Sequence, residues 1–325
     1  MRIMIQFPEG LKSEALKQAA TLEAEGHEIF ISASPCYGAC DVSVDEAKKV
    51  GAEKIIHYGH SEFIAINEIP VEYVKYPVTV PVAEPLEKAF LDQPALANAK
   101  TIILVTTAQH LHQLQDIVAY LERKGKTVLT TRGTLARNVG QVLGCDDHGA
   151  VSIAAKADVI LYFGGGKFHP TGIRAGDTPL IAVDPYSSTS RLMNDELKRL
   201  EKKRHAQFML ASEAKTFGIL VSTKPGQYAL ATAKKVKGEL ERVGKRAVIL
   251  VSHEINWLSL ENFRSFDAYV NTACPRIWED YPQAKKPIIN GLDALELARQ
   301  LQEQKERKTA REARLPLPAP SPAPG

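Results

Sequence analysis

The sequence is short of cysteine, of long apolar runs and of surplus charge. Its 325 residues hold four cysteines, too few and too scattered for the disulfide framework of a small secreted domain. Metal or catalytic use is the better starting point for them. Nowhere do about 20 apolar residues follow one another, the length a helix needs to cross a bilayer. No basic-then-apolar leader precedes the first strand-like run at Arg2, so the expectation is a cytoplasmic protein with neither export nor membrane insertion. A formal net charge of +3 is too small for a chain of this size to signal direct nucleic-acid binding, and it leaves room for an acidic protein partner. The run "FGGGKFHP" from Phe163 lacks the Gly-Lys-Ser/Thr ending of a phosphate loop. Its glycines permit close backbone approach to a ligand or simply a turn. In "SPCYGACDVS", Cys36 and Cys40 are the first two thiols of a Cys-x3-Cys-x-x-Cys radical iron–sulfur loop, but Ser43 stands where the third belongs.

What the chain does have is a threefold internal repeat. Leu-Glu-x-x-Gly recurs at Leu22–Gly26, Leu121–Gly125 and Leu240–Gly244. Upstream of each lies a β-branched run ("RIMIQF", "TIILVTT", "FGILVST"), then a helix with apolar residues at three-and-four spacing, such as Leu11, Ala15, Leu22 or Leu230, Ala233, Val236, Leu240. Downstream lies a second run ("EIFISAS", "KTVLTT", "RAVILVS"). Third strands are expected at "EKIIHYGH", "DVILYFGGG" and "DAYVNTAC", and fourth strands at "VEYVKYP", "PLIAVDP" and "PIING". Each repeat glycine suits the residue after a helix, where positive φ is needed and a Cβ is unwelcome.

Continuous apolar strands alternating with amphipathic helices indicate parallel sheets covered on both faces. The expected fold is therefore α/β, with three similar α/β domains arranged around a pseudo-threefold centre. Their bounds are 1–92, 93–210 and 211–300, followed at 301–325 by the end of a charged helix and a Pro-rich tail, "LPLPAPSPAPG", expected to be disordered.

Each repeat then owns one thiol on the side where strands of open α/β sheets deliver ligand-binding residues. Cys40 follows the second strand of the first unit, Cys145 the second strand of the second, and Cys274 the third strand of the third. Three converging thiolates suit a [4Fe–4S] cluster, which ordinarily takes four, and would leave one iron open. Cys36 is left over, as a packing residue or an alternative ligand.

The segments "PCYGACDVSVDEAKKVGAEKIIHYGHS", "QVLGCDDHGA" and "NTACPRIWEDYP", with "IQFPEGL" and "STKPGQ", resemble the diphthamide biosynthesis enzymes, in particular their archaeal homodimeric branch. The likeness runs from Arg2 to about residue 300. It implies that Cys40, and not Cys36, is the first cluster ligand, with Cys145 and Cys274 as the others. It also implies S-adenosylmethionine as co-substrate, whose 3-amino-3-carboxypropyl group passes as a radical to the imidazole C2 of a histidine in translation elongation factor 2. Methylthioadenosine is the by-product. A homodimer and an electron donor belong to the same implication.

Around the cluster, the loops after each first strand offer Gln6 with Gly10, Thr107 with Gln109, and Lys224 with Gly226 and Gln227 as contacts for S-adenosylmethionine. Amide side chains there can both donate and accept. His57, His60 and His148 invite metal or acid–base roles, His60 most of all because it closes the third strand. Asp146 and Asp147 are placed to take the proton of the incoming imidazole. Two rival readings remain at this level: a dehydrating lyase like quinolinate synthase, with the same units and ligand pattern, and a non-catalytic interaction protein with structural zinc.

Overall fold

In the strand Val159–Phe163, Val159, Leu161 and Phe163 belong to one apolar cluster while Ile160 and Tyr162 belong to another. Alternate side chains of a strand point to opposite faces, so both faces of this strand are covered. The same split recurs elsewhere. Ile3 and Ile5 face one cluster and Met4 a second; Phe217, Ile219 and Val221 face one and Leu220 the other. These apolar runs are buried on both sides, as strands of parallel sheets must be.

The computed structural model describes residues 1–280 and 285–312; the Pro-rich tail lies outside them. The strands, β1 to β13 in chain order, make three sheets. The first holds β1 (Arg2–Gln6), β2 (Glu28–Ile31), β3 (Lys54–Tyr58) and β4 (Val71–Val74). The second holds β5 (Thr101–Thr106), β6 (Thr127–Leu129), β7 (Val159–Phe163), β8 (Leu180–Asp184) and β9 (Thr189–Leu192). The third holds β10 (Thr216–Ser222), β11 (Arg246–Ser252), β12 (Ala268–Asn271) and β13 (Ile288–Asn290).

Spatial order is β2-β1-β3-β4, β6-β5-β7-β8-β9 and β11-β10-β12-β13, one pattern three times. All pairings are parallel except β8 with β9, an added antiparallel edge. The apolar-run reading missed β9 because its residues, Thr-Ser-Arg-Leu, are mostly exposed. In each sheet the direction of winding reverses between the first and third strands, and the crevice at their carboxyl ends is where such sheets bind ligands. The chain separates into two compact units, Met1–Lys203 with Lys224–Gln227, and Arg204–Thr223 with the residues from Tyr228 on.

Two devices close each repeat. Gly26, Gly125 and Gly244 have φ of 86°, 76° and 87°, the conformation the helix end requires. A carboxylate just before the third strand also holds the backbone N–H at the start of the first. Glu53 accepts from Arg2 at 2.7 Å, Asp158 from Lys100 and Thr101 at 2.8 and 2.9 Å, and Asp267 from Lys215 and Thr216 at 3.0 and 2.9 Å.

A Cβ added at Gly244 would meet no atom within 4 Å, so the alanine variant faces only backbone strain. Gly244→Ala is expected to lower unfolding free energy by about 1–2 kcal/mol. Gly238, inside the helix Leu230–Arg242 and equally unobstructed, is expected to gain roughly 0.5–1 kcal/mol as alanine. Urea unfolding of the two variants reads the opposite signs, and equal signs would reject this account of the helix end.

Candidate metal centre

Cys40 sits on the loop between β2 and the short helix Val44–Lys49, and the fold fixes it from two directions. From β1, Gln6 reaches in: its Nε2 donates to the Asp41 carbonyl at 2.7 Å, and its Oε1 accepts from Ser43 N–H at 3.1 Å. From the turn Lys224–Gln227, Gly226 N–H donates to the Cys40 carbonyl at 2.9 Å and Gln227 Nε2 donates to Cys40 Sγ at 3.5 Å. Lys224 pairs with Asp41 at 3.0 Å, the two side chains only 4% and 5% exposed, and its ammonium lies 4.3 Å from the centre of the Tyr37 ring. A Cβ on Gly226 would fall 2.5 Å from Cys40 Cα, so glycine is what permits this approach.

Burial pushes the Cys40 thiol up, and the Gln227 amide opposes that. The donor set suits an iron–sulfur ligand. Its sulfur receives an amide hydrogen bond of the kind that tunes cluster thiolates, and its loop is held by groups on both sides.

Cys145 is exposed on a loop shaped by its neighbours. Leu143 and Asp146 pair through their backbones, and a Cβ on Gly144 would collide with the Phe168 ring. Buried Asp146 accepts from the N–H groups of Thr134, Leu135, Ala136 and His148. Asp147 takes the Arg174 guanidinium at 3.1 Å through both oxygens, and the Arg174 N–H at 3.0 Å. Burial pushes the Asp147 carboxyl up, but the Arg174 hydrogen bonds and charge outweigh this and hold it below the usual range.

In the second unit, Cys274 is half-buried after β12. Its carbonyl accepts from Asn271 Nδ2 at 2.7 Å, and that same amide group donates to Asn290 Oδ1 at 2.8 Å. Neither Cys36, Cys40, Cys145 nor Cys274 is in a disulfide.

Gln6, Cys40, Lys224, Gly226 and Gln227 therefore meet around one loop. Gln109 reaches toward the carbonyl of Gly59, beside His60, at 3.4 Å, and Arg137 pairs with Glu62 at 3.0 Å. These two contacts tie the loop leaving β3 to loops of the second sheet. Thr107 is buried at the end of β5. Gly10 has open space around it, so no close backbone approach demands glycine there. In "FGGGKFHP", Gly165 packs against the Tyr186 ring and Gly164 against the Tyr162 hydroxyl.

His57 and His60 form a further group with Cys36. His57 Nδ1 is 2.9 Å from Gln6 Oε1, and its Nε2 is 2.9 Å from His60 Nδ1. Burial, with His60 beside it, takes His57 down to about 3; burial takes His60 down to about 4 and pushes the Cys36 thiol up to about 12.

Sequence reading passed over Asp41 and Arg174. Asp41 had one visible signal, an acid directly after a candidate ligand, but its partner Lys224 lies 183 positions away.

A family model for diphthamide synthesis proteins matches residues 7–309. The chain is 39% identical to the 2-(3-amino-3-carboxypropyl)histidine synthase of Pyrococcus horikoshii, covering 89% of this chain and 83% of that one. It is 26% identical to subunit 1 of the human enzyme of that name, covering 90% of this chain and 67% of that one. The crystal structure of Dph2 from Pyrococcus horikoshii superposes with a TM-score of 0.83 at 37% identity, covering 91% of this chain and 86% of that one. A second crystal structure of that protein, with a 4Fe-4S cluster, gives 0.82 at the same identity and coverage. With the strand order, the loop that presents Cys40 and these matches together, the chain belongs to the diphthamide synthesis protein family.

Proposed function

We propose that this chain transfers the 3-amino-3-carboxypropyl group of S-adenosylmethionine to the imidazole C2 of a histidine in translation elongation factor 2, the first step of diphthamide biosynthesis. It is a transferase, a 2-(3-amino-3-carboxypropyl)histidine synthase. A carbon–sulfur bond of the sulfonium breaks on uptake of one electron, a carbon–carbon bond forms at C2, the C2 hydrogen leaves as a proton while that electron is given back, and methylthioadenosine is released. Cys40, Cys145 and Cys274 would hold a [4Fe–4S] cluster, which would supply the electron that opens the sulfonium.

The chain's own residues position and select. Lys224 and Asp41 lock the Cys40 loop, and Gln227 donates to its sulfur. Gln6 holds the same loop through the Asp41 carbonyl. Gly10, Thr107, Gln109, Lys224, Gly226 and Gln227 are the contacts we assign to S-adenosylmethionine. Such contacts must turn the methionine γ-carbon, rather than the adenosyl carbon, toward the iron, a matter of orientation in which small displacements are costly. Asp146 acts through loop shape, since its carboxylate is engaged by four N–H groups. Asp147 is the carboxylate we assign to the departing imidazole proton once the Arg174 side chain, 74% exposed and bonded to both its oxygens, swings away. His60 lines the approach.

The chain works as a homodimer in the cytoplasm with a separate electron donor, on the reading that each of the three repeats (1–92, 93–210, 211–300) supplies one thiol. The carrying observation is that each sheet is followed by one such cysteine on a loop beyond a strand's carboxyl end, in a chain 39% identical to a synthase.

The test is anaerobic reconstitution with iron, sulfide and reductant, followed by elongation factor 2 and S-adenosylmethionine labelled in the aminocarboxypropyl group. Label is expected in the factor, and none with a chain carrying serine at 40, 145 and 274. A brown, iron-loaded protein that neither binds S-adenosylmethionine nor labels the factor would favour a dehydrating lyase. A colourless zinc protein would favour a structural role.

A further inference from the structure

Cys36 and His57 are given no part in that reaction and His60 only lines its approach, yet the chemistry of the three is that of a metal site. One donor atom from each of Cys36, His57 and His60 lies within 4.8 Å of the other two. Cys36 is 3% exposed and His57 fully buried, with His60 half-buried.

The neighbours decide which ring nitrogen can bind. Gln6 must aim its NH2 at the Asp41 carbonyl, which only accepts, and that leaves Gln6 Oε1 facing both Ser43 N–H and His57 Nδ1. An amide oxygen also only accepts, so the His57 proton sits on Nδ1 and the lone pair on Nε2. That lone pair points at His60 Nδ1, 2.9 Å away. A metal-binding histidine normally has its other nitrogen fixed in this way by an acceptor.

We infer that Cys36, His57 and His60 form a second metal site, for one zinc-like divalent cation, distinct from the three-thiol centre. Two imidazoles and one thiolate are borderline-soft donors suited to tetrahedral zinc, with nitrogen at about 2.0–2.1 Å and sulfur at about 2.3 Å. Their present span closes to those distances with side-chain shifts of about an ångström. On binding, the Cys36 thiol releases its proton to solvent and His60 moves its own from Nδ1 to Nε2, freeing a second lone pair. The fourth position is left to water. Such an ion would staple the loop carrying Cys36 to the end of β3 and so set the entry of Cys40, four residues further on.

The test separates this site from the cluster ligands. Co2+ is added to the full chain carrying serine at 40, 145 and 274, whose remaining thiol is Cys36. One cobalt per chain is expected, with the visible bands of a tetrahedral ion and a sulfur-to-cobalt charge-transfer band in the near ultraviolet. Adding Cys36→Ser should abolish the charge-transfer band, and His60→Ala should weaken binding at least tenfold.

A second measurement covers the case where the serine variant does not fold. Zinc is supplied to the reconstituted wild-type holoprotein, and zinc-edge X-ray absorption is expected to show two nitrogen neighbours and one sulfur, with the sulfur lost in Cys36→Ser. The inference is overturned by a charge-transfer band that survives Cys36→Ser, by no cobalt binding in the folded serine variant, or by wild-type holoprotein that retains no zinc after dialysis.

Discussion

Lys224→Met is expected to destabilise the chain by about 3–5 kcal/mol, the range for removing one member of a buried ion pair. Asp41 would be left as a buried carboxylate without the lysine charge that faces it at 3.0 Å. The lysine's position over the Tyr37 ring adds a cation–π contribution that methionine cannot replace. Exposure decides the magnitude. Lys237 and Glu241 also pair, at 3.6 Å, but are 41% and 49% exposed, so Lys237→Met should change stability by no more than about 1 kcal/mol.

The double variant Lys224→Met with Asp41→Leu should recover most of the loss, because replacing both charges with apolar groups also removes the buried carboxylate. Urea unfolding of the single and double variants measures the coupling. If Lys224→Met matched Lys237→Met, the pair would not be what holds the Cys40 loop.

The contrast between these two lysines also marks what the sequence could reveal. The strands were legible because both their faces are buried, which writes continuous apolar runs into β1, β5, β7 and β10. Helix ends were legible because Gly26, Gly125 and Gly244 sit at positive φ, where other residues are strained. One repeat signal went unread although it was visible: the acids Glu53, Asp158 and Asp267, each just ahead of a third strand, holding the first strand's opening N–H groups.

The loops were a different matter. Nothing in the spacing of Asp41 and Lys224 announces a pair, and the four N–H groups that converge on Asp146 come partly from a segment ten to twelve residues upstream with no periodicity. The candidate site residues were found by type and by position after strands, whereas their partners depend on irregular backbone, which carries no repeating pattern. His57 illustrates the cost. Read along the chain it invites a metal or acid–base role like His60 and His148, and only the orientation of Gln6 from another strand assigns its proton.

Gly226→Ala should strike the reaction through geometry alone. No positive φ is involved; the obstacle is that the new methyl would lie 2.5 Å from Cys40 Cα, 2.7 Å from Cys40 Cβ and 2.9 Å from Ile64 Cδ1. Two of those atoms belong to the Cys40 residue itself, so the contact cannot be relieved by a flexible side-chain tip. The turn Lys224–Gln227 has to back away, stretching the 2.9 Å bond from Gly226 N–H to the Cys40 carbonyl and withdrawing the Gln227 amide from the sulfur.

A displacement of about an ångström in a positioning group can lower a rate on the order of 100-fold, and that is the expected loss of aminocarboxypropyl transfer. Iron and acid-labile sulfide per chain should fall in parallel, since the first thiolate is displaced as well. Gly238→Ala, on an exposed helix face in the second unit, should leave iron content and rate unchanged. Measuring iron, sulfide and transfer on the two reconstituted variants separates a local effect at Cys40 from a general effect of replacing glycine. Full iron and an undiminished rate in Gly226→Ala would show that the close approach of this turn to Cys40 has no bearing on the chemistry.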